Sequence, residues 1–207
     1  MIPFTHLHVH SQYSILDGAA SVFDLVNKAK EDGMTALALT DHGTMLGIKE
    51  FHQTCLKLNI KPILGCETYV AVRSIHDKSA KEDRYGDHLI LLAKNKTGYK
   101  NLIKLITIAN NEGFYYKPRV DKSLLAKHSE GLIVSSACLG GEIPMLLRDN
   151  KIPEAEKSVL WFKKTFGEDF YLELMRHLAE DKQLREEVYE TQEKVNEKII
   201  QLARKHN

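Results

Sequence analysis

The segment FTHLHVHS, residues 4–11, places His6, His8 and His10 at alternate positions with Leu7 and Val9 between them. A strand rises ~3.3 Å per residue and sends alternate side chains to one face, so three imidazoles are expected side by side. Other titratable residues recur where apolar runs end. Asp17 follows in SILDG, Asp41 and His42 come directly after TALAL, Glu67 ends PILGCE, and Cys138 ends LIVSSAC. His88 precedes LILLA and breaks this rule unless residues 67–72 and 88–93 form the arms of a hairpin, which would return it to the same rim. Each residue alone is ordinary: a strand histidine is usually a hydrogen-bonded packing residue, and a strand-end glutamate is usually solvated. Gathered together, they would form a costly like-charged or desolvated cluster unless something bound there. Divalent ions resolve that cost, since imidazole, carboxylate and thiolate are their ligands and zinc accepts all three. Two rings of an H-x-H pair can converge on one ion, and a central carboxylate such as Glu67 can bridge two. Ions at bridging distance would yield a hydroxide near neutral pH and clamp the oxygens of a phosphate ester. From the residues, the leading expectation is metal-dependent hydrolysis.

The elements that must position these residues alternate between short apolar runs and helical patterns. SVFDLVNKAKEDG puts Val22, Leu25, Val26 and Ala29 on one helical face, with Ser21 as N-cap and Gly33 as stop. TALALTDHG, IKPILGCETYVAV, HLILLAKN, GLIVSSAC and DFYLELM read as strands. GIKEFHQTCLKLN, TGYKNLIKLITIANN and PEAEKSVLWFKKTFG read as helices, as does a long final segment from about Asp181 to Lys205. Residues 73–87 and 111–121 read as loops. Apolar strands alternating with helices imply an α/β fold with a mainly parallel sheet, as a barrel or doubly wound. Val188, Val195, Ile199 and Leu202 line one face of the final helix, too few and too weakly apolar for a coiled coil, so packing on its own domain is expected.

Composition narrows the function classes. A net charge of +1 over 207 residues draws the chain to no polyanion as a whole, so any nucleic-acid contact must be local. Three dispersed cysteines without a C-x-x-C pair argue against a disulfide framework and for a reducing compartment, hence the cytoplasm. Met1-Ile2-Pro3 runs straight into the first pattern without a secretory signal, and no apolar run approaches membrane-span length. Residues 94–127 carry eight lysines and arginines against Glu112 and Asp121, with Phe114, Tyr115 and Tyr116 nearby. Basic density among aromatics suits a single-stranded nucleic acid, with Tyr115, Tyr116, Lys117 and Arg119 as contacts. A solvated helix face with a packed loop fits the same residues and is favoured. KNKTG and CLGGE lack phosphate-cradle spacing, and Ser135 and Ser136 lack a nucleophile-elbow context.

The ordered series HLHVHSQYSILDG, ALTDHG, GCETYVA, HLILLAKNKTGYKNLIKL, GFYYKPRVDKSLL and GLIVSSACLGGEI resembles the PHP (polymerase and histidinol phosphatase) domain. Among such domains it is similar to those at the N-terminus of bacterial replicative polymerases. The resemblance runs from Ile2 to the end, so residues 1–207 are expected to be one PHP domain, an N-terminal piece of a much longer chain. It implies an α/β fold, a distorted seven-stranded β/α (TIM-like) barrel, holding up to three divalent ions, zinc or manganese. By position it implies ligation by His8, His10, Asp17, His42, Glu67, His88 and Cys138. His6, where many relatives have aspartate, is expected to support or pack, and Asp41 to orient an imidazole. The family's last ligands, an aspartate and a histidine, follow a strand beyond the final helix. The sequence stops at Asn207 before that strand, so the barrel is expected to lack its last strand, and His206 is not expected to substitute. The resemblance implies a parent activity of DNA-directed DNA polymerase (a nucleotidyltransferase), with DNA, other polymerase domains and replisome subunits as partners. For the domain itself it implies 3′–5′ exonucleolytic hydrolysis, with no catalytic side chain beyond the ions' hydroxide. The alternatives are a metal-stabilised scaffold for partners and a stand-alone phosphomonoesterase.

Overall fold

In a computed structural model, which describes residues 4–178 and 180–206, the sheet is built around one long strand. Strand β2 (Lys61–Val70) pairs parallel with β1 (Ala36–Leu39) through its first half. Its second half pairs antiparallel with β3 (Asp87–Ala93), Gly65 opposite Leu92 through Val70 opposite Asp87. The short β4 (Arg119–Val120) adds parallel to the end of β2. Beyond β3 lie β5 (Leu132–Ser135), antiparallel to it, and β6 (Phe170–Tyr171), parallel to β5. The result is a six-stranded mixed sheet that does not close into a barrel. The mainly parallel expectation is therefore corrected at β3, which runs against both its neighbours. The hairpin expected to return His88 to the rim is present.

Antiparallel partners share a face, and this sorts the side chains. Tyr69 and His88 are opposite one another, as are Glu67 and Ile90, so these four project to the inner face. There Ala38, Ile90, Leu92 and Ala137 form a small apolar cluster. The other face of the same strands, with Cys66, Val70, Leu89 and Leu91, packs beneath helices α3 (Lys96–Asn111) and α6 (Ile152–Phe166). Helices α1 (Val22–Glu31) and α2 (Ile48–Leu58) cover β1. Helix α1 starts and stops as its sequence implies. Ser21 Oγ accepts from Asp24 N–H, acidic and basic residues sit in the first and last turns, and Gly33 turns the chain at φ +77.

Several elements differ from the sequence expectation, β4 inside the 111–121 stretch read as a loop among them. Residues 4–11 are extended but not a regular strand. The carbonyls of His6 and Val9 accept from Ala38 and Thr40 N–H, so three residues on one side match two on the other, and the segment bulges at Leu7–His8. In DFYLELM only Phe170–Tyr171 pair as strand. Two short helices, α4 (Lys122–Lys127) and α5 (Glu142–Arg148), are additional. The final helix contains α7 (Lys182–Leu184), a π turn at Arg185–Tyr189, and α8 (Glu190–His206). As expected, α8 buries Val195, Ile199 and Leu202 in its own domain's core. No helix among the described residues is long and apolar enough to cross a membrane, and Met1-Ile2-Pro3 lies outside them.

Candidate metal centre

Glu67 is 0% exposed and lies at the centre of the inner face. Its backbone is fixed where β2 passes the turn after β1: Glu67 N–H donates to the Thr40 and Asp41 carbonyls, and the Glu67 carbonyl accepts from Gly43 N–H. That turn needs φ +62 at Gly43, where glycine carries no steric cost. On one side of the carboxylate, Oε1 lies 2.8 Å from His88 Nδ1 and 3.7 Å from Cys138 Sγ. On the other, Oε2 lies 2.9 Å from His10 Nε2, 3.1 Å from His42 Nδ1 and 3.2 Å from His8 Nε2. Asp17 Oδ2 approaches the outer nitrogen of His42 at 2.9 Å. All seven positions expected to ligate therefore meet in one place. Their atoms define three overlapping groups that could hold an ion: His8–His10–Glu67, His10–Asp17–His42 and His42–Glu67–His88.

A set of supporting contacts orients the rings. His8 Nδ1 donates to Glu173 Oε1 at 2.9 Å, and Glu173 is held by Ser135 Oγ at 2.5 Å and, through its N–H, by Ser136 Oγ. His10 Nδ1 meets Ser14 Oγ at 3.0 Å, and Ser14 Oγ donates to the buried Asp41. Asp41 also accepts from Ser11 N–H and Ser11 Oγ, so it orients His10 through serine. His88 packs against Gly140, where a Cβ would stand 3.1 Å from the ring. Ala137 takes φ +59 immediately before Cys138, a strained conformation that costs on the order of 1 kcal/mol and re-aims the chain into the cluster.

The electrostatics of the bare cluster are those of one carboxylate shared among rings. Burial opposes the charge on Glu67, but the neighbouring imidazoles of His10, His8 and His88 outweigh it and hold its carboxyl far below the usual range. Burial likewise opposes charge on His8, yet Glu173 and Glu67 push it up to about 10. His88 reaches about 10 against its burial through Cys138 and Glu67. His42 moves the other way, lowered mainly by burial despite Glu67.

Within this cluster the packing leaves two buried atoms unsatisfied. Glu67 Oε2 has three ring nitrogens within 3.2 Å, and neither it nor His42 Nδ1 makes a hydrogen bond of acceptable geometry. His8 Nε2 and His10 Nε2 face each other at 3.2 Å. Ring nitrogens, carboxylate oxygens and a thiol gathered around one buried carboxylate with an unsatisfied oxygen fit divalent ions, since these are their ligand types.

Two expectations need correction. His6 does not join the cluster: the bulge at Leu7–His8 breaks the alternation and leaves it exposed, with its ring edge-on to Phe4 at 4.9 Å. Arg119 cannot touch nucleic acid. It is 0% exposed, and its guanidinium donates to the carbonyls of Gly113, Asp83, Ile75 and Asp77. Of its neighbours, Tyr115 is half-buried, Tyr116 is exposed, and Lys117 lies over the Tyr69 ring. The sequence reading missed Glu173, Ser11, Ser14 and Tyr69. A signal existed for Glu173, a carboxylate between Leu172 and Leu174 in an apolar run, much as Glu67 lies in its own.

Fold and cluster together define an α/β protein with a cluster of residues that could hold divalent ions at the strand ends of its sheet. More specifically, the chain belongs to the PHP domain family, whose model matches residues 6–177. It is 51% identical over 204 residues to DNA polymerase III subunit alpha of Borreliella burgdorferi, covering 97% of this chain and 17% of that protein. The corresponding protein of Chlamydia trachomatis is 44% identical over 211 residues, covering 96% and 17%. That of Aquifex aeolicus is 42% identical over 210 residues, covering 99% and 17%. The chain is thus a PHP domain homologous to part of the polymerase III alpha subunit, and it spans about one-sixth of the length of these relatives.

Proposed function

We propose that residues 1–207 form the PHP domain of a bacterial replicative polymerase alpha subunit and that this domain hydrolyses phosphodiesters as a 3′–5′ exonuclease on single-stranded DNA. The observation that carries this reading is the pair of unsatisfied buried atoms, Glu67 Oε2 and His42 Nδ1, among converging imidazoles. In this reading His8, His10, Asp17, His42, Glu67, His88 and Cys138 would hold zinc or manganese. Bound there, such ions supply Lewis acidity at phosphorus and an activated water. The chain's own groups fix the geometry. Glu173 and Ser135 lock His8, Asp41 and Ser14 lock His10, and Asp17 steers His42. The raised His8 and His88 hold protons beside Glu67, and metal binding to neutral rings would have to displace them. DNA polymerisation, DNA and replisome partners, and a cytoplasmic setting belong to the same proposal by way of the relatives.

The test is to load the chain with Mn²⁺ or Zn²⁺, measure bound metal by elemental analysis, and follow cleavage of 3′-labelled single-stranded DNA. His8→Ala and His10→Ala should lose both metal and cleavage. Metal without cleavage above these variants would leave a metal-stabilised scaffold as the function, and no bound metal would refute the ligand set.

A further inference from the structure

Lys117 is the one member of the basic, aromatic stretch that the fold carries up to the imidazole cluster by visible contacts. Its ammonium lies 5.1 Å from the centroid of the Tyr69 ring. Tyr69 in turn stacks on His42 at 5.7 Å and 15°, and meets His88 edge-on at 5.2 Å. A single ring therefore connects this cation to two side chains of the site. Lys94 and Lys122 have their charge taken up by Asp169 and Glu142, whereas no carboxylate among the described residues pairs with Lys117.

The backbone delivers this lysine by construction. Tyr116 adopts φ +60, which is strained for a residue with a side chain, and Tyr115 N–H closes the turn on the Lys117 carbonyl. Pro118 then packs against Gly43, where a Cβ would stand 2.5 Å from the proline ring. The turn that follows His42 and the segment that carries Lys117 are thus in direct contact, and Asn110 Nδ2 also donates to the Gly43 carbonyl. Two residues on, β4 pairs with β2 at Tyr69–Arg119, and the buried Arg119 anchors the segment from below. A half-buried, unpaired ammonium on a strained and well-anchored turn, beside an anion-hydrolysing cluster, has the chemistry of a phosphate anchor.

We propose that Lys117, seated on Tyr69, holds a non-bridging phosphate oxygen of the phosphoester bound at the His/Glu cluster. It is a substrate-binding residue and ligates no ion. The assignment rests on the phosphoester reading of the site, so its test has a readout independent of turnover.

Inorganic phosphate is titrated into the metal-loaded chain by calorimetry, with wild type compared to Lys117→Gln, Lys117→Arg and the paired control Lys122→Gln. Loss of a charge-assisted bond to phosphate should weaken binding roughly tenfold or more in Lys117→Gln. Lys117→Arg should largely restore it, Lys122→Gln should leave it unchanged, and bound metal should be equal in all four. With p-nitrophenyl thymidine 5′-phosphate as substrate, Lys117→Gln should raise KM with little change in kcat. Equal phosphate affinity in wild type and Lys117→Gln overturns the proposal, as does a wild-type chain that binds no phosphate. Absence of turnover in every protein, with the phosphate isotherm still shifted by Lys117→Gln, refutes hydrolysis and leaves the anchor standing.

Discussion

Two fully buried charges, Glu67 on β2 and Arg119 on β4, where Arg119 pairs opposite Tyr69, have opposite outcomes. Arg119 is well partnered: each of Nε, Nη1 and Nη2 donates, to four carbonyls of the loops at 75–83 and 113. Those loops are bound further by Arg73, which pairs with buried Asp83 at 2.6 Å. Glu67 is crowded but unsaturated, with one oxygen facing three nitrogens and bonding none of them well. A buried charge whose every nitrogen is partnered is scaffolding. One with bonds left over marks a place for a ligand.

The sharpest break of this comparison is at its two centres. Glu67→Gln should weaken metal binding by roughly a hundredfold or more, read by competition with a chromophoric chelator. The melting temperature of the metal-free chain should fall less than in Arg119→Ala. Arg119→Ala should cost about 3 kcal/mol in urea unfolding, because four carbonyls lose their donor. Where it remains folded it should bind metal as wild type does. If Glu67→Gln proved the more destabilising of the two in the metal-free chain, the distinction would collapse.

Acid and base should separate the regions next. His8 and His88 are raised to about 10, so their contribution to the metal-free fold is full below about 6.5 and lost as pH rises through 10. Asp83 is held at about 2, chiefly by Arg73, so its contribution is present above its ordinary value near 3.8 and lost only as pH falls through 2. Urea midpoints of the metal-free chain should therefore decline from pH 6.5 to 10, and metal loading should flatten that decline. The smallest effect is expected at His6, where His6→Ala should change metal affinity less than about twofold and stability by under about 0.5 kcal/mol.

Much of the site was legible because strand-end position is a local property. Glu67, His88, His42 and Cys138 each end or flank an apolar run, and the hairpin that reconciles His88 could be posed from the pattern alone. What failed depended on pairing. His6 was placed with His8 and His10 by strict alternation, and only the register against Ala38 and Thr40 exposes the bulge that separates them. Glu173 supports His8 from 165 residues away, a contact that no spacing rule reaches. Arg119 shares its composition with a basic surface stretch, and its burial follows from four carbonyls contributed by two separate loops. The mixed sheet had the same cause, since apolar strands look alike whichever way they run.

The antiparallel β2–β3 pairing also sets an order of assembly. Glu67 and His88 are 21 residues apart, and His42 lies 25 before Glu67, whereas Cys138 is 71 beyond it. Closing a chain loop costs more entropy as the loop lengthens, by roughly 0.6 kcal/mol per doubling. The hairpin and its neighbouring turn are therefore the cheapest parts of the cluster to bring together. Six of its seven side chains are already present once residue 88 has left the ribosome. Cys138 and Glu173, 71 and 106 residues beyond Glu67, close the cluster over the longest loops and at the highest entropic cost.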